Sequence, residues 1–193
     1  MKRTKNERLL PASLHQAIAE LLPLRLEFYE NWLRPFDLFR GTVGSPQLLA
    51  VLSFLREEGD DYDLVMYRAG EHAAKNFIEN ISGLTRSVAC VLPVRWRVRV
   101  ALRLCSSLVK RIDNRSRAMM RVKPDAVLFE IHGSTFCSIR GVVKKPLCVF
   151  YVVVLERVMD FLNVSAKAKV DGCCARGDEV CLVSVVVDQG TTG

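Results

Sequence analysis

The chain has 193 residues, half of them apolar and a quarter charged, which is enough for one domain with a sizeable core. No apolar run reaches the roughly 18 residues that cross a bilayer. Residues 9–22 contain Pro11, His15 and Glu20 and therefore lack the continuous apolar segment of a secretory signal. We expect a cytoplasmic protein, and the odd number of cysteines, seven, is not that of a disulfide framework.

The net charge of +7 is concentrated between residues 86 and 123, where the cations are opposed only by Asp113. Arg95, Arg99 and Arg103 recur at helical spacing, which is typical of a solvated face and would also suit an acidic partner. A nucleic-acid partner is not favoured, because interleaved aromatic residues beyond Trp96 are missing.

The first half of the chain predicts helices. Short ones are expected over residues 13–22 and 24–33, and a third begins at Ser45-Pro46, with Ser45 as the cap, and ends at Gly59. Apolar residues at a 3.6-residue period predict longer helices from residue 60 or 61 to 82 and over residues 94–112. Gly70 in the first of these indicates a close helix crossing, or else a ligand close to the backbone.

The pattern changes after Asn114. Strands are predicted over residues 118–122 and 126–132, a helix over residues 147–162, and two more strands over residues 166–173 and 181–187. The last two enclose the turn sequence Ala175-Arg176-Gly177-Asp178 and form a hairpin. We therefore predict an α+β domain, with amino-terminal helices packed on an antiparallel sheet and one further helix.

Cysteine spacing identifies a candidate metal site. Cys173 and Cys181 lie at the facing ends of the hairpin strands, and Cys148 precedes Cys173 by 25 residues, in the first turn of a predicted helix. A helix amino terminus favours the thiolate, and three thiols with one more ligand would suit tetrahedral zinc. A buried cluster of inert thiols and a redox pair are the alternatives.

The fourth ligand stays open at this stage. Strand alternation places Asp171 on the same face as Cys173 and Cys174 on the opposite face. Cys137, eleven residues before Cys148, is a further candidate from the preceding loop.

The hairpin sequence resembles the end of the 4-vinyl reductase domain, in the pattern C-x-A-x-G-D-x-x-C over residues 173–181. The likeness continues upstream through Lys145-Pro146-Leu147-Cys148 and Gly133-Ser134, and more loosely over residues 45–83, where Tyr67-Arg68-Ala69-Gly70 matches the family's core helix. It covers about residues 45–187, so we expect a helical extension over residues 1–44 and a ligand-binding domain over residues 45–193.

That family is similar in fold to the small core subunits of the vesicle-tethering TRAPP complex, which are commonly dimeric. The resemblance implies a buried pocket for an apolar ligand and, in many members, a structural zinc held by cysteines that match Cys148, Cys173 and Cys181. Zinc-binding members often carry a glutamate three residues before the first hairpin cysteine, and this chain has Val170 there.

Nothing in the sequence forms a convincing catalytic set, since the three histidines are far apart and no Ser-His-Asp arrangement is visible. Tyr67, Trp96 and His132 are candidate pocket residues, although core packing or solvent exposure would explain them too. We expect a module that binds a hydrophobic or aromatic small molecule and is braced by zinc. A homodimeric scaffold is the alternative, and an enzyme of tetrapyrrole metabolism would rest on the family's name alone.

Overall fold

The computed structural model describes residues 9–83, 87, 91–113, 116–123, 126–138 and 143–187. Four strands form a single sheet: β1 (Arg117–Val122), β2 (Val127–His132), β3 (Ala166–Gly172) and β4 (Cys181–Val187). The helices are α1 (Leu9–Leu21), α2 (Leu26–Glu30), α3 (Pro35–Arg40), α4 (Ser45–Glu57), α5 (Asp61–Glu79), α6 (Val94–Ile112) and α7 (Val149–Phe161). The 3₁₀ helices are Pro23–Arg25, Thr135–Cys137 and Cys174–Arg176.

The sheet is antiparallel throughout, in the order β1-β2-β4-β3. Alternate residues of the two central strands, such as Phe129, Ile131, Val183 and Val185, are fully buried on one face, as expected for a sheet covered on one side. Helix α7 packs on β3 and β4, and α6 packs on β1 and α7. The predicted α+β architecture is therefore confirmed.

Helices α5 and α7 cross at the centre of the protein, and Gly70 makes the close approach possible. A Cβ atom added there would lie 3.0 Å from the carbonyl oxygen of Phe150 and 3.0 Å from Cβ of Val153. Because a backbone oxygen cannot move aside, the small residue is required for packing. The helix crossing predicted from Gly70 is confirmed.

Helix α6 has the predicted bounds and, with one exception, the predicted buried stripe. Its buried residues follow the helical period, while Arg95, Arg99 and Arg103 are exposed. Val94, expected in the stripe, is exposed because it lies at the first helical position, beyond the packed part of the helix. The buried positions are Val98, Ala101, Leu102, Cys105, Leu108, Val109 and Ile112.

Several predicted helix ends were wrong. The first helix begins at Leu9, not at residue 13, because Pro11 falls in the first turn, where its missing N–H costs no hydrogen bond. The helix predicted over residues 24–33 is a 3₁₀ turn followed by the short α2, and α3 after Arg34 was not predicted. Gly44, not Ser45, occupies the capping position of α4.

Helix α1 belongs to the predicted extension over residues 1–44, yet it is packed into the same core as the rest of the chain. Leu10, Leu14, Ala17 and Ile18 are fully buried, and α1 packs along α5. Among the described residues, no helix combines the length and apolarity needed to cross a membrane.

Candidate metal centre

Four cysteines meet at one end of the sheet because the strand register brings their segments there. Cys181 begins β4 and is paired with Ile131, near the end of β2. The chain leaving β2 turns at Gly133 (φ 68°) into the 3₁₀ helix that ends at Cys137. Cys173 directly follows β3, beside the start of β4.

Cys148 joins this group from the helical layer. It occupies the capping position of α7, and the hydroxyl of buried Tyr62 in α5 donates to the neighbouring carbonyl oxygen of Leu147 at 3.1 Å. The start of α7 is thereby held against both the sheet and α5, with Cys148 fully buried.

The four Sγ atoms all lie within 4.8 Å of one another. The Sγ of Cys137 is 3.3 Å from that of Cys148, 3.5 Å from that of Cys173 and 3.3 Å from that of Cys181. The Sγ of Cys148 is 3.5 Å from that of Cys173 and 3.1 Å from that of Cys181. Five of the six separations therefore lie between 3.1 and 3.5 Å and the sixth is within 4.8 Å, which is compatible with four ligands around one metal ion.

These separations fit the ligand set of a tetrahedral zinc ion. With Zn–S bonds of about 2.3 Å, the sulfur atoms of a regular tetrahedron are about 3.8 Å apart, so the pairs that are now 3.1–3.5 Å apart need to separate by about 0.3–0.7 Å. A disulfide requires about 2.0 Å and would join only two of the four. The mutual closeness of all four favours metal coordination over a redox pair.

Hydrogen bonds within the cluster favour the thiolate form of Cys173. Hydrogen bonds from the thiols of Cys137, Cys148 and Cys181 lower the pKa of the Cys173 thiol well below its ordinary value. The backbone N–H of Leu147 also donates to Cys173 Sγ, at 3.4 Å, as N–H groups do around metal-bound sulfur. The hydrogen bond with Cys137 raises the pKa of Cys148, so a divalent cation would be needed to ionise the whole set.

The turn after Cys173 is held by its own hydrogen bonds. Asp178 Oδ2 accepts from the backbone N–H of Cys173 at 2.6 Å and from Arg176 Nη2 at 3.2 Å. Gly177 adopts the left-handed conformation (φ 98°), which a residue with a side chain rarely adopts. The Gly-Asp pair of the predicted turn thus positions a cysteine.

The fourth member of the cluster is Cys137, and neither Asp171 nor Cys174 belongs to it. A β-bulge between Val170 and Gly172 shifts the register of β3 and breaks the alternation from which Asp171 was selected. Asp171 is exposed and contacts Lys169 Nζ at 3.5 Å. Cys174 Sγ donates to the carbonyl oxygen of Glu179 at 3.6 Å.

The three predicted pocket residues lie on separate elements, Tyr67 and Trp96 at the surface and His132 partly buried. Tyr67 of α5 and Trp96 of α6 are 43% and 53% exposed, and Arg99 stacks over the Trp96 ring at 5.0 Å. His132 ends β2, with its Nε2 3.9 Å from Glu130 Oε2. A shared pocket for the three side chains stays a prediction.

No protein-family model and no curated protein matches the chain. Among solved structures, it is similar to the crystal structure of a trafficking protein particle complex subunit 3 from Naegleria fowleri covalently bound to palmitic acid. The TM-score is 0.56 at 10% sequence identity, over 75% of this chain and 95% of that chain. The likeness shows the fold: helices on a four-stranded antiparallel sheet, as in a subunit of that complex.

Proposed function

We propose that the protein is a non-catalytic binding module whose sheet is joined to α7 by a zinc ion in the cluster Cys137, Cys148, Cys173 and Cys181. The observation that carries this proposal is the convergence of four thiols from three separate segments of the fold within 4.8 Å. Burial of three of them and the presence of four protein ligands point to a structural ion, because catalytic zinc sites have three protein ligands and keep one position for water or substrate.

Zinc content tests the cluster. Protein purified without added metal should contain near-stoichiometric zinc, and Cys181→Ser should lose it. Cys174→Ser is the matched control, because it removes a neighbouring thiol that lies outside the cluster. Zinc absent from the unsubstituted protein, or lost equally from both variants, would contradict the proposal.

The ligand of this module is proposed to be a hydrophobic molecule with a long acyl chain or an aromatic skeleton. Two observations support it: the hairpin's resemblance to ligand-binding 4-vinyl reductase domains, and the palmitic acid in the structural neighbour. Mass spectrometry of the protein as purified, under native and then denaturing conditions, distinguishes a retained ligand from a covalent adduct. If neither appears after exposure to palmitate and to aromatic hydrocarbons, the ligand part of the proposal is wrong.

A second candidate function, an assembly subunit, is favoured by the exposed apolar side chains between residues 21 and 54. Leu24, Phe39 and Phe36 are 99%, 82% and 60% exposed, and apolar side chains exposed together are typical of an interaction surface. Light scattering across a concentration series should then show a dimer that Phe39→Ser weakens. A monomer at every concentration would remove the support for self-assembly.

A further inference from the structure

The two edges of the sheet are not equivalent. At the β3 edge, the backbone N–H of Ala168 donates to Glu156 Oε1 of α7 at 2.9 Å, so a helix side chain occupies part of that edge. Strand β1 forms the other edge, and within the described residues no strand or side chain is hydrogen-bonded along its open side.

The register identifies which backbone groups are available on β1. The N–H of Lys123 donates to the carbonyl oxygen of Ala126 at 2.8 Å, so Lys123 and every second residue before it direct their hydrogen bonds towards β2. Because these directions alternate in an antiparallel pair, the N–H and C=O groups of Ala118, Met120 and Val122 face outward. An unpaired edge of this kind accepts another strand.

The side chains of β1 differ between its two faces. Met120 and Val122 lie opposite buried Phe129 and Val127 and so continue the apolar face of the sheet, yet they are 39% and 68% exposed. At these two positions the apolar face of the sheet therefore extends beyond the cover that α6 provides. A strand added at this edge would place apolar residues next to these two.

The opposite face of β1 is cationic. Arg117 and Arg121 are exposed on it. Lys123, two residues after Arg121, lies on the same face by strand alternation, and β1 contains no acidic residue. Arg121 Nε already contacts Glu130 Oε1 at 3.0 Å, which leaves Arg117 and Lys123 as the outermost charges to meet a new strand. Acidic side chains at alternate positions would pair with them.

A second copy of this chain does not meet these requirements. In a two-fold antiparallel pairing of β1 with itself, odd-numbered residues face odd-numbered residues, and in the register centred on Met120 Arg117 of each copy would lie opposite Lys123 of the other. Like charges in directly opposed positions destabilise a strand pair. We infer that the β1 edge binds an extended segment of another protein in which acidic and apolar residues alternate.

The probe is a fluorescein-labelled octapeptide that alternates glutamate and valine, compared with one that alternates lysine and valine. Anisotropy should show binding of the acidic peptide alone. Arg117→Glu combined with Lys123→Glu should weaken it roughly tenfold or more, since two attractions become repulsions. The matched control, Lys167→Glu with Lys169→Glu, makes the same charge change on exposed residues of β3 and should leave the dissociation constant within about twofold.

Backbone pairing is tested separately from charge. Met120→Pro removes an outward N–H without removing a bond to β2 and should abolish peptide binding, while the thermal transition followed by circular dichroism shows that the variant folds. Amide exchange at Ala118, Met120 and Val122 should slow when the acidic peptide is added.

Failure of the acidic peptide to bind would overturn the inference, and the charges of β1 would then serve only to keep the edge free. If the charge reversals on β1 and on β3 weakened peptide binding equally, the inference would be overturned as well, because binding would then follow net charge alone. A protein dimer that Met120→Pro dissociates would identify a second copy as the occupant and also contradict it.

Discussion

Four thiols within 4.8 Å of one another differ chemically from cysteines that are buried separately. A lone buried thiol such as Cys105 has its pKa raised by desolvation and behaves as a small hydrophobe. In the cluster, each thiol is within hydrogen-bonding distance of others, so the site can ionise stepwise as a metal enters. This is why the cluster, and not the cysteine count, carries the metal proposal.

The identity of the fourth ligand gives the first prediction. Cys137→Ser should reduce zinc content to a small fraction and lower the free energy of unfolding by about 2–4 kcal/mol, the value expected from loss of a ligand that binds only the folded state. Asp171→Asn should change neither quantity. Elemental analysis and urea unfolding measure both, and zinc loss in Asp171→Asn with retention in Cys137→Ser would reverse the assignment.

Gly70 gives the second prediction. Gly70→Ala should gain about 1 kcal/mol of helix propensity but lose more from overlap with the Phe150 carbonyl and Val153, for a net destabilisation of about 1–2 kcal/mol. Gly83→Ala is the control, since a Cβ there meets nothing within 4 Å. Urea unfolding that shows Gly70→Ala to be stabilising would mean that α7 can shift away from α5.

Ion pairs link the helices on the outer side of the α5–α7 crossing. Arg68 of α5 donates to Glu71 Oε2 at 2.8 Å and to Glu20 Oε2 of α1 at 2.6 Å, and Arg157 of α7 contacts Glu71. The network therefore links α1, α5 and α7 around the rim of the apolar core. Exposed pairs of this kind contribute modestly.

Glu71 gives the third prediction, a pH dependence. Its partial burial raises its pKa, but hydrogen bonds from Arg68 and Arg157 outweigh this effect and hold the pKa below its ordinary value of 4.5. A carboxyl group whose pKa is lower in the folded protein than in the unfolded chain stabilises the fold at pH values above the unfolded pKa. This contribution is lost as the pH falls through the folded pKa. Glu71→Gln should thus cost up to about 1 kcal/mol at pH 7 and less at pH 3.

The control for this comparison is Glu79→Gln, at the exposed end of the same helix. Chemical unfolding at both pH values should show a pH-independent difference for Glu79→Gln. A Glu71→Gln deficit that grows towards low pH would contradict the sign argued above.

For the protein as a unit, the cluster joins segments far apart in sequence: the loop after β2, the start of α7 and both strands of the hairpin. A single ion would therefore hold one end of the sheet and the helical layer together. Because binding to the folded state alone stabilises it by mass action, metal and fold should be lost together.

Chelation gives the fourth prediction. If free zinc is about a thousandfold above its dissociation constant, removal costs about 4 kcal/mol, which lowers the melting temperature by roughly 8–16 °C in a domain of this size. Acidification should also release zinc, since protons compete for the thiolates. Differential scanning calorimetry with and without a chelator, followed by zinc addition, measures the effect, and an unchanged melting temperature would contradict a structural role.

The sequence by itself was sufficient for the local features of this protein. Apolar periodicity identified α5, α6 and the strands, and the Gly-Asp turn identified the hairpin, because both depend on interactions within a few residues. Cys148, Cys173 and Cys181 could be grouped from the helix start and hairpin geometry. The short helices before residue 44 were predicted poorly, since proline positions there permit several starts.

Only the tertiary structure placed Cys137, and not Asp171, beside the other three thiols. The bulge in β3 removed Asp171 from the face of Cys173, and the pairing of Ile131 with Cys181 brought the segment after β2 to the cluster. Both depend on strand register, which is set by contacts between residues distant in sequence. The incorporation of α1 into the core was decided in the same way, as was the lack of a strand partner for the outer edge of β1 among the described residues. Burial of a helix face or a strand edge depends on which neighbour covers it.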